Sequence, residues 1–456
     1  DIDGRNIDLY ALKFSDFPSS VEIMATGSAT VGPGKNDLKA DIHVADFYLR
    51  RESGTIGLND INVNFLAGDS LTTADITNGD LRASFQSFVS LDSLTNSFSR
   101  ASTLIAEQLG SLTINVDTLG KTLPPFAFTA SGGRANMVND ILTPSDMSVR
   151  EFYLSANNGS FLTLSGAARG VETGSMTLDS LYLSAIQDDA DMHLDAGLLN
   201  RPGNLDQWHS VNLKGSVKGR SASLNIHQQN IAGNTGFSFG LEATSSADSS
   251  IVVNIRPYAP VIGYKNWTVN DDNFIRYDLH DKHLDANVRM NGDNSSLAIY
   301  TQHDQSLGEL ADKHQEDLII QLKDIHIADW ISFNPFAPPM KGDINADMRI
   351  NLDGDIITGK GSAGISGFMY DRQKVADINA DFDIAASQSG TVNAKADLMV
   401  NGIKTMTLNG ALNDSTLTSP MSLDFAMIHF PLNTVNPFLP RGTASLSGTL
   451  NGNLKI

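Results

Sequence analysis

The sequence predicts an elongated all-β chain of repeated antiparallel strands. Apolar and polar residues alternate with period two in stretch after stretch, Gly- and Asn-rich turn pairs separate those stretches, and the helical crossovers that parallel strands need are missing.

The first clear strand is DLKADIHV, in which Leu38, Ala40, Ile42 and Val44 share one face. Shorter runs follow at Leu58 to Phe65, Ala83 to Phe85, Leu112 to Val116, Met176 to Leu183 and Leu224 to Ile226. One segment breaks the rule. DSLTNSFSRASTLIAEQL sets Leu94, Phe98, Ala101, Ile105 and Gln108/Leu109 at three-to-four spacing, which predicts an amphipathic helix near 92–109 capped by Ser93 or Asp92. Such a helix is either a connector packed on a sheet edge or a lid over an apolar cavity.

The second half carries the longest alternations. HLDANVRMNG places Leu284, Ala286, Val288 and Met290 on one face, and DINADMRINLD does the same with Ile344, Ala346, Met348, Ile350 and Leu352. DINADFDI contributes Ile378, Ala380, Phe382 and Ile384, and TVNAKADLMVNG contributes Val392, Ala394, Ala396, Leu398 and Val400. Between runs sit DG, NG, NNG and GDNSS, which supply the positive φ of tight hairpins.

Three proline turns read as punctuation between modules: PYAP at 257–260, PFAP at 335–338 and PFLP at 437–440. Proline fixes φ and removes a donor, so each ends a strand and tucks an aromatic ring under the next. They divide the chain into residues 1–255, with the helix, and residues 256–456.

Composition narrows the function. A net charge of −20 disfavours a nucleic-acid partner, and the absence of cysteine removes disulfides, thiol nucleophiles and Cys-ligated metals. No apolar run reaches the roughly 20 residues that span a bilayer, and both ends read as cut, so an anchor is expected outside this segment. No catalytic constellation is present, and no cofactor or metal is expected. His280 and His283 read as solvated turn residues, and Asp188, Asp189 and Asp191 lack the Gly and Glu of an EF-hand loop. The NGS at Asn158 and NWT at Asn266 match glycosylation sequons at the rate an Asn-rich chain produces them.

The end of the chain resembles a known family. FPLNTVNPFLPRGTASLSGTLNGNLKI is similar to the segment of TamB (translocation and assembly module) and AsmA-like proteins in which an NPFLP-type turn leads into LSGTLNGxLxI-type strands. DDNFIRYDLHDKHLDANVRM is similar to a second stretch of those proteins. The resemblance covers the last 200 residues or so; before Ile255 only the alternating texture agrees. It implies curved antiparallel sheets forming a repeating β-groove with an apolar interior. It also implies a non-enzymatic periplasmic conduit that moves phospholipid between inner and outer membranes, anchored in the inner membrane of a diderm bacterium through a segment outside this chain. The implied partners are phospholipid acyl chains, both membranes through regions outside this segment, and an outer-membrane β-barrel.

Physical bookkeeping asks what covers the apolar faces. A module of about five strands of about six residues presents on the order of 480 Å². Leaving it wet would cost about 12 kcal/mol at ~25 cal/mol/Å², more exposure than soluble monomers tolerate. A second sheet would make a sandwich, suited to an extracellular or periplasmic structural or adhesin array; lipid chains would make an open trough. The presence of only three tryptophans and the uninterrupted repetition favour the trough. A membrane barrel alternates likewise but needs strands of roughly 9 to 11 residues with aromatic girdles, and aromatics are only 7 %. The residues expected to line the groove are Leu38, Ile42, Val44, Leu284, Val288, Met290, Ile344, Met348, Ile350, Leu352, Ile378, Phe382, Ile384, Val392, Leu398 and Val400.

Overall fold

A computed structural model describes the chain except residues 14, 16, 35–36, 52–53, 175, 201–208, 248–249, 281, 304–315, 333–336, 354–355, 387–390, 413–420, 441, 443–444 and 456, and except the side chains of 176, 209, 303, 316, 352–353, 356–357, 386 and 412. It is all-β, with 66 % of residues in strands and 12 % helical. Two compact units are present, Asp1–Leu224 and Asn225–Ile456.

The first unit is an antiparallel meander of β1 (Ile2–Asp8), β2 (Ser19–Val31), β3 (Leu38–Arg51), β4 (Gly54–Ala67), β5 (Thr72–Asn78), β6 (Leu81–Ser87), β7 (Phe126–Gly132), β8 (Met147–Asn158), β9 (Leu162–Thr173), β10 (Met176–Asp188), β11 (Asp191–Asn200) and β12 (His209–Lys218). Each strand pairs with its sequence neighbours. Alternation in sequence becomes alternation in burial. In β4, Ile56, Leu58, Ile61, Val63 and Phe65 are half-buried while Asn59, Asn62 and Asn64 are exposed, because successive side chains point to opposite faces.

Helices occupy two connections. Between β6 and β7 lie α1 (Leu91–Gly110) and α2 (Val116–Thr122); between β7 and β8 lies α3 (Met137–Leu142). The predicted helix is present, but its cap is Ser90, whose Oγ accepts from Ser93 N–H at 3.3 Å, so the helix starts earlier than Asp92 or Ser93 would place it. The strand expected at Leu112 to Val116 does not form. Leu112 turns at φ 51, Ile114 makes an isolated bridge to Gly219, and the Asn115 side chain caps α2 by accepting from Thr118 N–H. Local capping outweighs a short apolar run with no strand partner along its length.

The division between units falls inside β13 (Ser221–Asn230). The second unit contains β14 (Thr235–Ser245), β15 (Ser250–Ile255), three two-residue strands β16 (Val261–Ile262), β17 (Lys265–Asn266) and β18 (Thr268–Val269), then β19 (Phe274–Asp278), β20 (Leu284–Asn291), β21 (Ser296–His303) and β22 (Glu316–His326). A short helix α4 (Ile327–Ile331) precedes β23 (Met340–Asp353), β24 (Ile356–Tyr370), β25 (Gln373–Lys374), β26 (Ile378–Ala386), β27 (Val392–Val400), β28 (Ile403–Leu412), β29 (Met421–Pro431) and β30 (Thr449–Lys455). PYAP is a corner within this unit, because β14 pairs on with β15 before the turn and β16 after it, and Pro260 is fully buried.

Hairpins close where the turn chemistry demands. Asn401 and Gly402, at φ 51 and 77, join β27 to β28 in the two-residue turn that NG predicts. PFLP follows expectation in part: Pro437 is buried in a 3-10 turn, and the Phe438 ring lies 4.8 Å from that of Tyr370. Residues 335–336 of PFAP lie outside the described residues. Among the described residues β1 pairs only with β2 and β30 only with β29, so the strands do not close into a barrel.

Candidate functional site

Residues directly opposite in an antiparallel pair share a face, so the registers state which side chains form a row. In the first unit one row runs from β2 to β12 through Gly27, Ile42, Val63, Ile76, Ala83, Ala130, Leu154, Gly166, Leu183, Ala196 and Leu213. Each member is apolar or glycine. Two positions along each strand lies a second such row, through Phe65, Ala74, Phe85, Phe128, Ala156, Leu164, Ala185 and Leu194. The face is continuous across eleven strands.

The second unit repeats the construction. From β20 to β30 the register joins Val288, Ile299, Ile320, Met348, Gly361, Phe382, Ala396, Leu408, Phe425 and Leu454. Charges occupy the other face, where opposite signs meet directly across strands: Glu151 with Arg169 at 3.2 Å, Asp191 with Lys218 at 3.1 Å, and Asp424 with Lys455 at 3.3 Å. Lys404 and Thr407 hold the Asp397 carboxyl below the usual aspartate range by hydrogen bonding to its charged form. Clefts of about 400 Å³, by Arg349, Lys360 and Asp383, and about 600 Å³, by Asp347, Ser362 and Asp381, lie among these polar side chains.

Burial separates sealed from unsealed parts of the apolar face. Within the first unit's row Ile42, Leu154 and Leu183 are 42 %, 38 % and 44 % exposed. The central strands of a closed sandwich would hide such side chains almost completely.

One part of the second unit is sealed by protein. Ile255, Ile262, Trp267, Val269, Val288, Met290 and Ile325 form a buried core, with Phe237, Leu297, Trp330 and Ile344 packed against it. Two of the three tryptophans sit here, edge to face at 6.0 Å. Scarcity of tryptophan therefore did not mean absence of a tryptophan core. Val288 and Met290, expected in the groove, are buried within this core at 3 % and 4 % exposed. Val400 is likewise buried, with Val375 and Ala376 and against Ile378, and Val392 is buried at the other end of β27.

The remaining expected positions fall on the apolar face of their own unit. Leu38, Val44, Leu284, Ile344, Met348, Ile350, Ile378, Phe382, Ile384 and Leu398 are half-buried on the apolar face and Ile42 is exposed; the side chain of Leu352 lies outside the described residues. The expected set missed the middle of the first unit, where Phe85, Phe128, Leu154, Leu164 and Leu183 carry the rows. The signal was in the sequence, since these strands alternate too, but the alternating partners include Tyr153, Tyr182 and Ile186, which blur the pattern.

Glycines mark where the face bends. A side chain at Gly361 would meet backbone of β23 at 2.5 Å (Asp347 O) and 2.7 Å (Met348 Cα), and one at Gly359 would meet Arg349 O at 2.4 Å. Both positions point to the apolar side, so the neighbouring strands close toward that side there.

The connector of the first unit lies on the apolar face at one end of its strands. Thr72 Oγ1 donates to Val89 O at 2.9 Å, Ser87 Oγ donates to Pro125 O at 2.7 Å, and Asn158 Nδ2 donates to the carbonyls of Gly120, Leu123 and Pro124 at 2.9 to 3.1 Å. The Phe98 ring of α1 lies 5.7 Å from Phe126, which stacks on Phe85 at 6.1 Å.

Other sequence-level candidates stay apart from this face. Asp188, Asp189 and Asp191 make the β10–β11 hairpin turn, and His280 and His283 flank the turn before β20. Among the described residues no group of three or more histidine and carboxylate side chains converges on a point. No family model, curated protein or solved structure matches the chain.

Proposed function

We propose that the chain is a non-enzymatic lipid conduit of the TamB and AsmA-like type, its apolar rows wetted by phospholipid acyl chains in the periplasm. The observation that carries this reading is the row from Gly27 to Leu213, uncharged across eleven strands and yet bearing Ile42, Leu154 and Leu183 at 38–44 % exposed. Soluble proteins do not leave such a stripe to water without a use for it. Acyl chains suit it because they bring no hydrogen-bonding groups that the face would leave unsatisfied. A distributed lining also explains why no single constellation of functional residues converges.

The test is to purify the chain under mild conditions and analyse extracted lipid by mass spectrometry. Co-purifying phospholipid at one or more molecules per chain is expected. A lipid-free, monodisperse preparation that takes up none from vesicles would overturn the reading. A second reading, a structural or adhesin array closed by protein, is favoured by the tryptophan core around Trp267. It predicts that a photo-crosslinkable lipid leaves the rows of both units unlabelled.

A further inference from the structure

The polar face of the first unit carries two exposed tyrosines in one register row. Ser131, Tyr153, Ala167, Tyr182, Gly197 and Asn212 stand directly opposite one another across β7 to β12. Tyr153 and Tyr182 are 47 % and 40 % exposed, and their neighbours in the row, Ser131, Ala167 and Gly197, are too small to cover the rings.

Tyr182 lies flat. A Cβ at Gly197 would fall 2.5 Å from its Cε1 and 2.7 Å from its Cζ, so the ring rests on the glycine of the next strand and turns its other face outward. Its hydroxyl fixes that pose, donating to Asp195 Oδ1 at 3.1 Å and accepting from Asn212 Nδ2. Desolvation, followed by the Asp195 carboxylate, raises the phenol above the usual tyrosine range, so it stays neutral.

Two positions along each strand runs a row of hydroxyls. Ser84, Thr129, Ser155, Ser165 and Ser184 are directly opposite in turn across β6 to β10, and Asp195 continues the row on β11. Five neighbouring strands thus present short side chains that each donate and accept. Two strand spacings, about 9.6 Å, separate Tyr153 from Tyr182. That interval matches one disaccharide repeat of an extended β-1,4-linked glycan, in which every second sugar turns the same face the same way.

We propose that this face binds an extended β-1,4-linked glycan laid across β7 to β11, with alternate sugars stacked on Tyr153 and Tyr182 and their equatorial hydroxyls on the serine and threonine row. The chemistry is complementary on both counts. Pyranose C–H faces pack on aromatic rings, and rings with polar tips beside a hydroxyl row suit an occupant that is half apolar and half hydroxyl. A nucleic acid also stacks, but its phosphates are repelled by a chain of charge −20. The site lies on the face opposite the apolar rows and stands independently of the conduit reading.

Titration calorimetry of the chain with chitohexaose, cellohexaose and maltohexaose tests it. Both β-1,4-linked hexamers are expected to bind, and the α-1,4-linked maltohexaose, whose helical backbone does not repeat at the tyrosine spacing, at least about tenfold more weakly. Tighter binding of chitohexaose would name an N-acetylated glycan as the source; equal binding would assign recognition to the shared backbone. Tyr153→Ala should lower affinity about tenfold, and Tyr153→Ala/Tyr182→Ala should remove measurable binding. Tyr182→Phe keeps the ring and should bind within about threefold of the native chain. Ser155→Val/Ser165→Val suits the strands and removes two hydroxyls, so affinity should fall about tenfold with the fold intact. Tyr48→Ala removes an exposed tyrosine of β3 outside this row and should change nothing.

Equal binding of maltohexaose would overturn the proposal, as would native affinity in the double tyrosine variant or in Ser155→Val/Ser165→Val with circular dichroism unchanged. Absence of binding by both β-1,4-linked hexamers at millimolar concentration would overturn it outright. A dimer by light scattering that the double tyrosine variant abolishes would assign the two rings to a second copy of the chain and overturn it too.

Discussion

At the scale of single residues, glycine and aspartate fix what the alternating side chains cannot. Gly361 stands in the apolar row between Met348 and Phe382, where any Cβ would press on the backbone of β23. Gly361→Val should therefore destabilise the second unit by about 1–3 kcal/mol, as overpacking does, lowering the denaturant midpoint with the slope unchanged. Asp80 ties the β5–β6 turn to the approach of α3, accepting from Gly133 N–H and Ala135 N–H at 3.0 Å and from Asn136 Nδ2 at 2.5 Å. The Asn136 amide, followed by those backbone donors, holds its carboxyl below the usual aspartate range. Because the folded state favours the ionised form, Asp80 contributes stability above the unfolded aspartate range, and that contribution disappears as pH falls through the depressed folded value. Asp80→Asn should cost about 1 kcal/mol at neutral pH, discounted for exposure, and nothing once both forms are protonated. Urea melts at neutral pH and near pH 2 distinguish these outcomes, and an equal cost at both would show that the carboxylate charge is irrelevant.

At the scale of elements, the connector between β6 and β7 is a rim held by side-chain hydrogen bonds from the strands and by the buried side chains of Leu94, Ala101 and Val116. Asn158 is nearly buried, and its amide donates to three carbonyls at the end of α2. Asn158→Ala leaves those carbonyls without that donor and should raise hydrogen exchange across α1 and α2 by at least about tenfold, with β8 and β9 unaffected. Ser90→Ala removes the cap of α1 at a cost of about 1 kcal/mol, a smaller effect confined to the first turn. Exchange rates rising equally in the strands would mean the helices are integral to the sheet instead. The Trp267 core is the contrasting element: Trp267→Ala should cost about 3–5 kcal/mol, because a nearly buried ring in contact with Trp330 leaves a cavity behind.

At the scale of the whole molecule, function is read from what is left uncovered. Met348 is half-buried in the middle of the second unit's row, with no charge beside it in that row. Met348→Asp is expected to reduce co-purifying phospholipid several-fold while circular dichroism and solubility hold, since a carboxylate on the apolar face repels alkyl chains far more than it disturbs strands that tolerate solvent there. Unchanged lipid content would remove Met348 from the lining.

Local periodicity, period two in the strands and three-to-four spacing near 92–109, was enough to determine the class of fold, the antiparallel pairing, that helix and the face on which most of the expected lining lies. Those are local properties: side-chain alternation belongs to the strand itself, and the Asn401–Gly402 pair sets its turn from φ alone. Tertiary structure alone decided which apolar positions are covered. Val288, Met290 and Val400 read in sequence like Met348 and Phe382, yet the first three are buried by groups brought from elsewhere in the chain, Trp267 and Val375 among them. The rows of the first unit likewise exist only through register, which couples residues as distant as Ile42 and Leu213 across many pairings. Burial is a relation between segments, and alternation within one segment carries no information about what lies above it.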